Sequence, residues 1–152
     1  MTEPLPTLSI DKARLKKDIA LMEEKAPEAQ LTEFESDEYP LGWSLIISTD
    51  TAEYHIKICY HTGYPTNPPH VFETSGTIDT VTTPHINQTG RLSLSSPQQD
   101  PWEKKSSIAS FINTIVAWIY SYEFYLANSH WPGIESTSYD QTGTIEFHSP
   151  DI

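Results

Sequence analysis

Residues 43–60 read WSLIISTDTAEYHIKICY. Two strands are legible in them. Trp43 to Ser48 is a run of β-forming residues. Tyr54 to Tyr60 sets Tyr54, Ile56, Ile58 and Tyr60 against His55, Lys57 and Cys59, the period-two alternation of a strand with one buried face. Thr49-Asp50-Thr51 between them is turn material, and so short a separation returns the chain antiparallel.

Upstream, Leu31 to Ser36 alternates weakly and is followed by the turn residues Tyr39-Pro40-Leu41-Gly42. Downstream, His70 to Glu73 makes a fourth short strand. These segments predict a four-stranded antiparallel meander. Before it, from about Ile10 to Ala26, the residues Leu8, Leu15, Ile19, Met22 and Ala26 recur at helical spacing and build one apolar stripe. Ser9 is a suitable N-cap, Asp11 suits the first turn, and Pro27 ends the helix. After the meander, Thr74 to Trp102 keeps no regular period, and an irregular stretch of that length inside a domain is usually functional. A second helix follows from Ser106 to about Ala127. Its wide apolar face is Ile108, Phe111, Ile112, Ile115, Trp118, Ile119, Tyr122 and Leu126. Trp131 to Ile152 reads as a polar tail. Helices on an antiparallel sheet make an α+β fold, and 152 residues suit one domain, 1–152.

Composition removes several classes of function. With a net charge of -12 the chain repels phosphate backbones and anionic headgroups, so neither nucleic acid nor membrane is expected as a partner. The apolar stretch Ile108–Leu126 carries Ser110, Asn113, Thr114, Ser121 and Glu123, the pattern of a packed helix rather than a membrane span. Cys59 is the single cysteine, which leaves no internal disulfide and fits a reducing compartment, the cytoplasm. Met1 to Leu8 does not read as a signal peptide. No glycine-rich phosphate loop is present, and the histidines lack ligand spacing, so no cofactor and no metal are expected. Mid-strand, Cys59 fits a buried, inert thiol. Nothing demands more than a monomer.

Two segments resemble the ubiquitin-conjugating enzyme family. Tyr64-Pro65-Thr66-Asn67-Pro68-Pro69-His70-Val71 is similar to its Tyr-Pro-x-x-Pro-Pro-x-Val segment, which leads into the fourth strand. Thr83-Pro84-His85-Ile86-Asn87-Gln88-Thr89-Gly90-Arg91-Leu92-Ser93-Leu94 follows its His-Pro-Asn-Ile-x-x-x-Gly-x-Ile-Cys-Leu pattern. Pro84, Ile86, Gly90, Leu92 and Leu94 fall in step, and Trp102 matches a downstream tryptophan. The resemblance covers roughly Ile10 to Leu126. The end of the second helix and Trp131-Pro132-Gly133-Ile134-Glu135 look more like bacterial members of the family than eukaryotic ones, and the chain resembles the conjugating enzymes of bacterial ubiquitination-like operons.

Two departures bear on function. Ser93 stands at the position of the catalytic cysteine, and His85 at that of the asparagine. A serine hydroxyl needs an adjacent base, and an imidazole, with its ordinary pKa near about 6.5, suits that task. Together the replacements read as a serine carrier with its own base. They also fit an inactive adaptor that binds a ubiquitin-like protein or substrate, or a serine introduced to trap an intermediate. A serine esterase is disfavoured because Gly-x-Ser-x-Gly is absent. The resemblance implies acyl transfer of a ubiquitin-like protein from an activating enzyme to Ser93, and then to a target lysine. Asn87 would hold the oxyanion, with Asp100 positioning the amine. Lys12, Lys16 and Lys17, with Arg14, concentrate positive charge on the first helix, the family's docking face for the activating enzyme.

Overall fold

A computed structural model describes residues 11–94, 106–132 and 145–150. Helix α1 runs Lys12–Lys25, followed by strands β1 (Gln30–Glu33), β2 (Leu41–Ser48), β3 (Glu53–Cys59) and β4 (His70–Glu73). Helix α2 runs Ile108–Asn128, and a strand β5 (Glu146–His148) follows. The four meander strands lie in the order β1-β2-β3-β4, all antiparallel.

The paired register of β2 and β3 builds the core. Trp43 faces Ile58, Leu45 faces Ile56, and Ile47 faces Tyr54. These six side chains share one face of the sheet because side chains alternate along a strand. All six are buried, and α2 packs Ile108, Phe111, Ile112, Ile115, Trp118, Ile119 and Tyr122 into the same cluster. Each such side chain removed from water stabilises the fold by about 1.5–3 kcal/mol. A capping box starts α2: Ser107 Oγ accepts from the Ser110 N–H, and Ser110 Oγ accepts from the Ser107 N–H, both at 3.0 Å. At its far end Glu123 accepts from the hydroxyls of Tyr54 (2.7 Å) and Thr49 (2.6 Å), which ties the helix to the β2–β3 turn.

Four details differ from the sequence expectation. The cap of α1 is Asp11, whose side chain accepts from the Ala13 N–H, rather than Ser9. Leu126 is 55% exposed, because the apolar face of α2 outlasts the sheet beneath it. Leu41 and Gly42 are strand rather than turn: Gly42 pairs with both Thr32 and Cys59. A Cβ there would lie 2.3 Å from the Ile58 carbonyl oxygen and 2.8 Å from the Phe34 ring, so glycine here serves close packing rather than a bend. The polar tail contributes β5, which pairs Ile46, Ile47 and Ser48 with His148, Phe147 and Glu146. Three residues are too short to show a period, and the ladder of β2 supplies the order instead.

A buried polar cluster joins α1 to the rest. Asp18 is fully buried and accepts from the hydroxyls of Tyr60 (2.9 Å) and Tyr64 (2.6 Å). Arg14 stands one turn away, with Nε 3.5 Å from Asp18. It also donates to the Tyr64 hydroxyl and to the carbonyl of Ser106, just ahead of α2. Arg14 therefore faces inward and leaves the basic face of α1 to Lys12, Lys16 and Lys17, all exposed. Burial, together with the Asp18 carboxylate, raises the pKa of both phenols.

Candidate functional site

The stretch from β4 to Leu94 is irregular but closely held. Its frame is a small hairpin. Ile86 bridges Leu92, the Asn87 N–H donates to Arg91 O (2.9 Å), and the Ser93 N–H donates to His85 O (3.0 Å). In this register His85 and Ser93 are directly opposed. The returning arm lies along β4: the Glu73 N–H donates to Gly90 O and the Leu92 N–H to Val71 O, each at 2.9 Å. That pairing covers what would otherwise be an open sheet edge.

The tip of the hairpin explains two sequence positions. Asn87 Oδ1 accepts from the N–H groups of Thr89 (2.9 Å) and Arg91 (3.0 Å) and from the Thr89 hydroxyl. Its carboxamide oxygen is thus committed to the turn, which leaves only its NH₂ to face a ligand. Gly90 has φ +91°, and a Cβ there would meet Glu73 O at 2.6 Å. Only glycine meets both demands.

Ser93 is exposed and opens on a cleft of about 310 Å³, lined also by Pro68, Pro69, Asn87, Arg91, Leu94 and Phe111. Among the described residues its side-chain hydroxyl has no hydrogen-bond partner. The Pro68-Pro69 wall is fixed by His61. The Gly63 N–H donates to His61 Nδ1 (3.0 Å), which assigns the proton to Nε2, and that nitrogen donates to Pro68 O (2.6 Å). The His61 ring stacks on His70, with centroids 4.1 Å apart. His70 Nδ1 lies 2.7 Å from the Tyr39 hydroxyl. Burial, then the charge of Arg91 and the neighbouring His61, lower the pKa of His70 to about 4.

His85 is placed differently from Ser93. Its φ is +63°, a conformation that histidine tolerates better than most side chains. Its carbonyl accepts from the Ser93 N–H and from Trp118 Nε1 (3.1 Å), so α2 anchors the site directly. The imidazole lies against Trp131, with centroids 4.7 Å apart, and is not hydrogen-bonded to the Ser93 hydroxyl. The structure thus brings the two backbones together without a hydrogen bond between the two side chains. Asp100 and Trp102 lie outside the described residues. Cys59 is buried, and burial pushes its thiol up to about 12, which keeps it protonated and unreactive at neutral pH. Among the described residues no three His, Cys, Asp or Glu side chains converge as a metal site. No helix among them is long and apolar enough to cross a membrane.

Sequence reasoning passed over Arg91, Trp131 and His61. Arg91 had a signal, since it sits two residues before Ser93 and so shares its face of the arm. Trp131 and His61 reach the site only through tertiary folding.

An N-terminal helix, an antiparallel meander, a long closed loop bearing Ser93 and a C-terminal helix on the sheet define a conjugating-enzyme-like fold. A protein-family model described as Type II CBASS E2 protein matches residues 18–138, and the chain belongs to that family. The sequence resemblance to conjugating enzymes of bacterial ubiquitination-like operons is thereby borne out. A comparison with curated proteins finds no match. Membership makes this a conjugating-enzyme-like protein of CBASS conjugation, a family that works with an activating enzyme and a ubiquitin-like protein.

Proposed function

We propose that this chain carries a ubiquitin-like protein as an oxyester on Ser93 and passes it to a lysine amine, acting in the cytoplasm as a monomer. The observation that carries the reading is an exposed serine hydroxyl with no hydrogen-bond partner among the described residues, on an open cleft, at the cysteine position of its family and opposed in register by His85. The hairpin register keeps the His85 and Ser93 backbones side by side. In the uncharged chain the His85 ring rests on Trp131. Catalytic hydrogen bonds often close only in the loaded complex.

In the reaction, Ser93 Oγ attacks the thioester carbonyl presented by the activating enzyme, and His85 takes the hydroxyl proton. A C–O bond forms, the C–S bond breaks, and the thiolate leaves. Once the departing thiolate has taken the proton from His85, a lysine amine attacks the oxyester, a C–N bond forms, the C–O bond to Ser93 breaks, and the amine proton passes by way of His85 to Ser93 Oγ. Oxyesters react with amines less readily than thioesters, so a base such as His85 contributes to both steps. Asn87, through its NH₂ group, is an oxyanion donor in this scheme, and Asp100 positions the amine. Exposed Lys12, Lys16 and Lys17 on α1 meet the activating enzyme.

The His85 imidazole, packed on Trp131 and without a hydrogen bond to the Ser93 hydroxyl, favours a second reading, an inactive adaptor that docks a ubiquitin-like protein without bonding to it. A nucleophile exchange decides between them. The wild-type adduct should resist thiol and yield to hydroxide, whereas that of Ser93→Cys should yield to thiol. An adaptor forms no adduct with Ser93 in place and is indifferent to Ser93→Ala.

A further inference from the structure

Arg91 lines the same cleft as Ser93 and is exposed. Its backbone is pinned on both sides: Gly90 O accepts from the Glu73 N–H, the Leu92 N–H donates to Val71 O, and the Arg91 N–H donates to Asn87 Oδ1. Its guanidinium, in contrast, makes no hydrogen bond or ion pair among the described residues. Arg14 shows the alternative, since its guanidinium is consumed by Asp18, Tyr64 and Ser106. The charge of Arg91 reaches His70, next to the Pro68-Pro69 wall of the cleft, and helps, after burial, to lower its pKa.

We propose that Arg91 is a catalytic residue of the Ser93 reaction, holding the negative charge that develops on the acyl oxygen; this inference rests on the serine-carrier reading above. Arg91 and Ser93 are two residues apart on one arm and so project to the same side. When Ser93 Oγ attacks the carbonyl carbon, the carbonyl π electrons move onto its oxygen and form a tetrahedral oxyanion. Collapse returns that pair to the carbonyl and expels the thiolate of the activating enzyme. In the second step the amine adds, the same oxyanion forms, and collapse expels Ser93 Oγ, which takes up a proton. A neutral carbonyl gives a guanidinium little to hold, and an oxyanion gives it a full charge, so the interaction is strongest where it accelerates the step. Docking of the donor removes water from the exposed cleft and strengthens it further. A serine carrier needs this help more than a cysteine carrier, because a hydroxyl is the weaker nucleophile and the poorer leaving group.

The test is single-turnover transfer from the charged activating enzyme of its own operon to the full chain. Wild type, Arg91→Gln and Arg91→Lys are compared across donor concentrations, with unfolding midpoints confirming an intact fold. The expected result is a loss of about 100-fold in the saturating rate for Arg91→Gln, partial recovery for Arg91→Lys, and a half-saturating concentration changed less than about 2-fold. A saturating rate that is unchanged overturns the assignment. If the half-saturating concentration alone rises, Arg91 is a docking group and not a catalytic one. Failure of the wild-type chain to form any Ser93 adduct overturns the serine-carrier reading itself, and this inference with it.

Discussion

Substitution of Asp18 by alanine should destabilise the fold by about 3 kcal/mol. The carboxylate is fully buried, and its partner Arg14 has a side chain only 11% exposed. Removing one member of a buried ion pair costs about 3–5 kcal/mol, because the other charge remains desolvated without it. Two features place the loss at the lower end. Arg14 keeps the Tyr64 hydroxyl and the Ser106 carbonyl, and Tyr60 still accepts from Trp43 Nε1 (3.0 Å). In a chain of this length about 3 kcal/mol corresponds to a fall of roughly 6–12 °C in Tm. Urea unfolding gives the free energy directly, provided the m-value is unchanged. Asp18→Leu should cost at least as much, and adding Arg14→Met should recover more than about 1 kcal/mol, since an apolar pair leaves no stranded charge. A loss below about 1 kcal/mol for Asp18→Ala would refute the claim that this cluster ties α1 to the segment ahead of α2.

Four further outcomes follow from the geometry. Gly90→Ala should cost about 2–4 kcal/mol in chemical unfolding, from the φ of +91° and the 2.6 Å approach to Glu73 O, and should slow Ser93 charging; a cost near zero would show that the hairpin gives way freely. His70, with its pKa lowered to about 4, should stay neutral in an NMR titration until well below its ordinary value near 6.5. Because the folded pKa is the lower one, this contribution to stability is complete above pH 6.5 and is lost as pH falls towards 4, a loss that His70→Gln should diminish. Cys59, raised from 9.0 to about 12, should resist alkylation in the folded chain; stability from this group is present below pH 9 and lost as pH rises towards 12, and Cys59→Ala should leave Ser93 charging intact. Charge reversal at Lys16 and Lys17 should slow transfer from the activating enzyme without moving Tm, and unchanged transfer at physiological salt would remove α1 from the docking face.

What the sequence disclosed followed from how local each signal was. The alternation in Tyr54–Tyr60 carries its own period and the run Trp43–Ser48 its own β-rich composition; both strands form, with Tyr54, Ile56 and Ile58 buried on one face as the alternation implied. The apolar face of α2 was equally plain because it runs for five turns, until Leu126 outreaches the sheet. The strand β5 was hidden because Glu146-Phe147-His148 gains its order from Ile46–Ser48, far off in sequence. Asp18 was hidden for a related reason: one carboxylate on a charged helix looks solvated until Tyr60 and Tyr64 close over it. At the site, the register opposing His85 to Ser93 was foreshadowed by their eight-residue separation around a glycine turn. The side-chain direction was not, since it depends on φ +63° at His85 and on Trp131 arriving from beyond α2.

The most direct test of the central claim is the intact mass of the full chain after incubation with ATP and with the activating enzyme and ubiquitin-like protein of its own operon. The account predicts a mass increase of one ubiquitin-like protein that survives thiol, is removed by hydroxide, and is missing in Ser93→Ala and reduced in His85→Ala. An unmodified chain beside an activating enzyme that is itself charged would contradict it and leave the binding adaptor as the function of this fold.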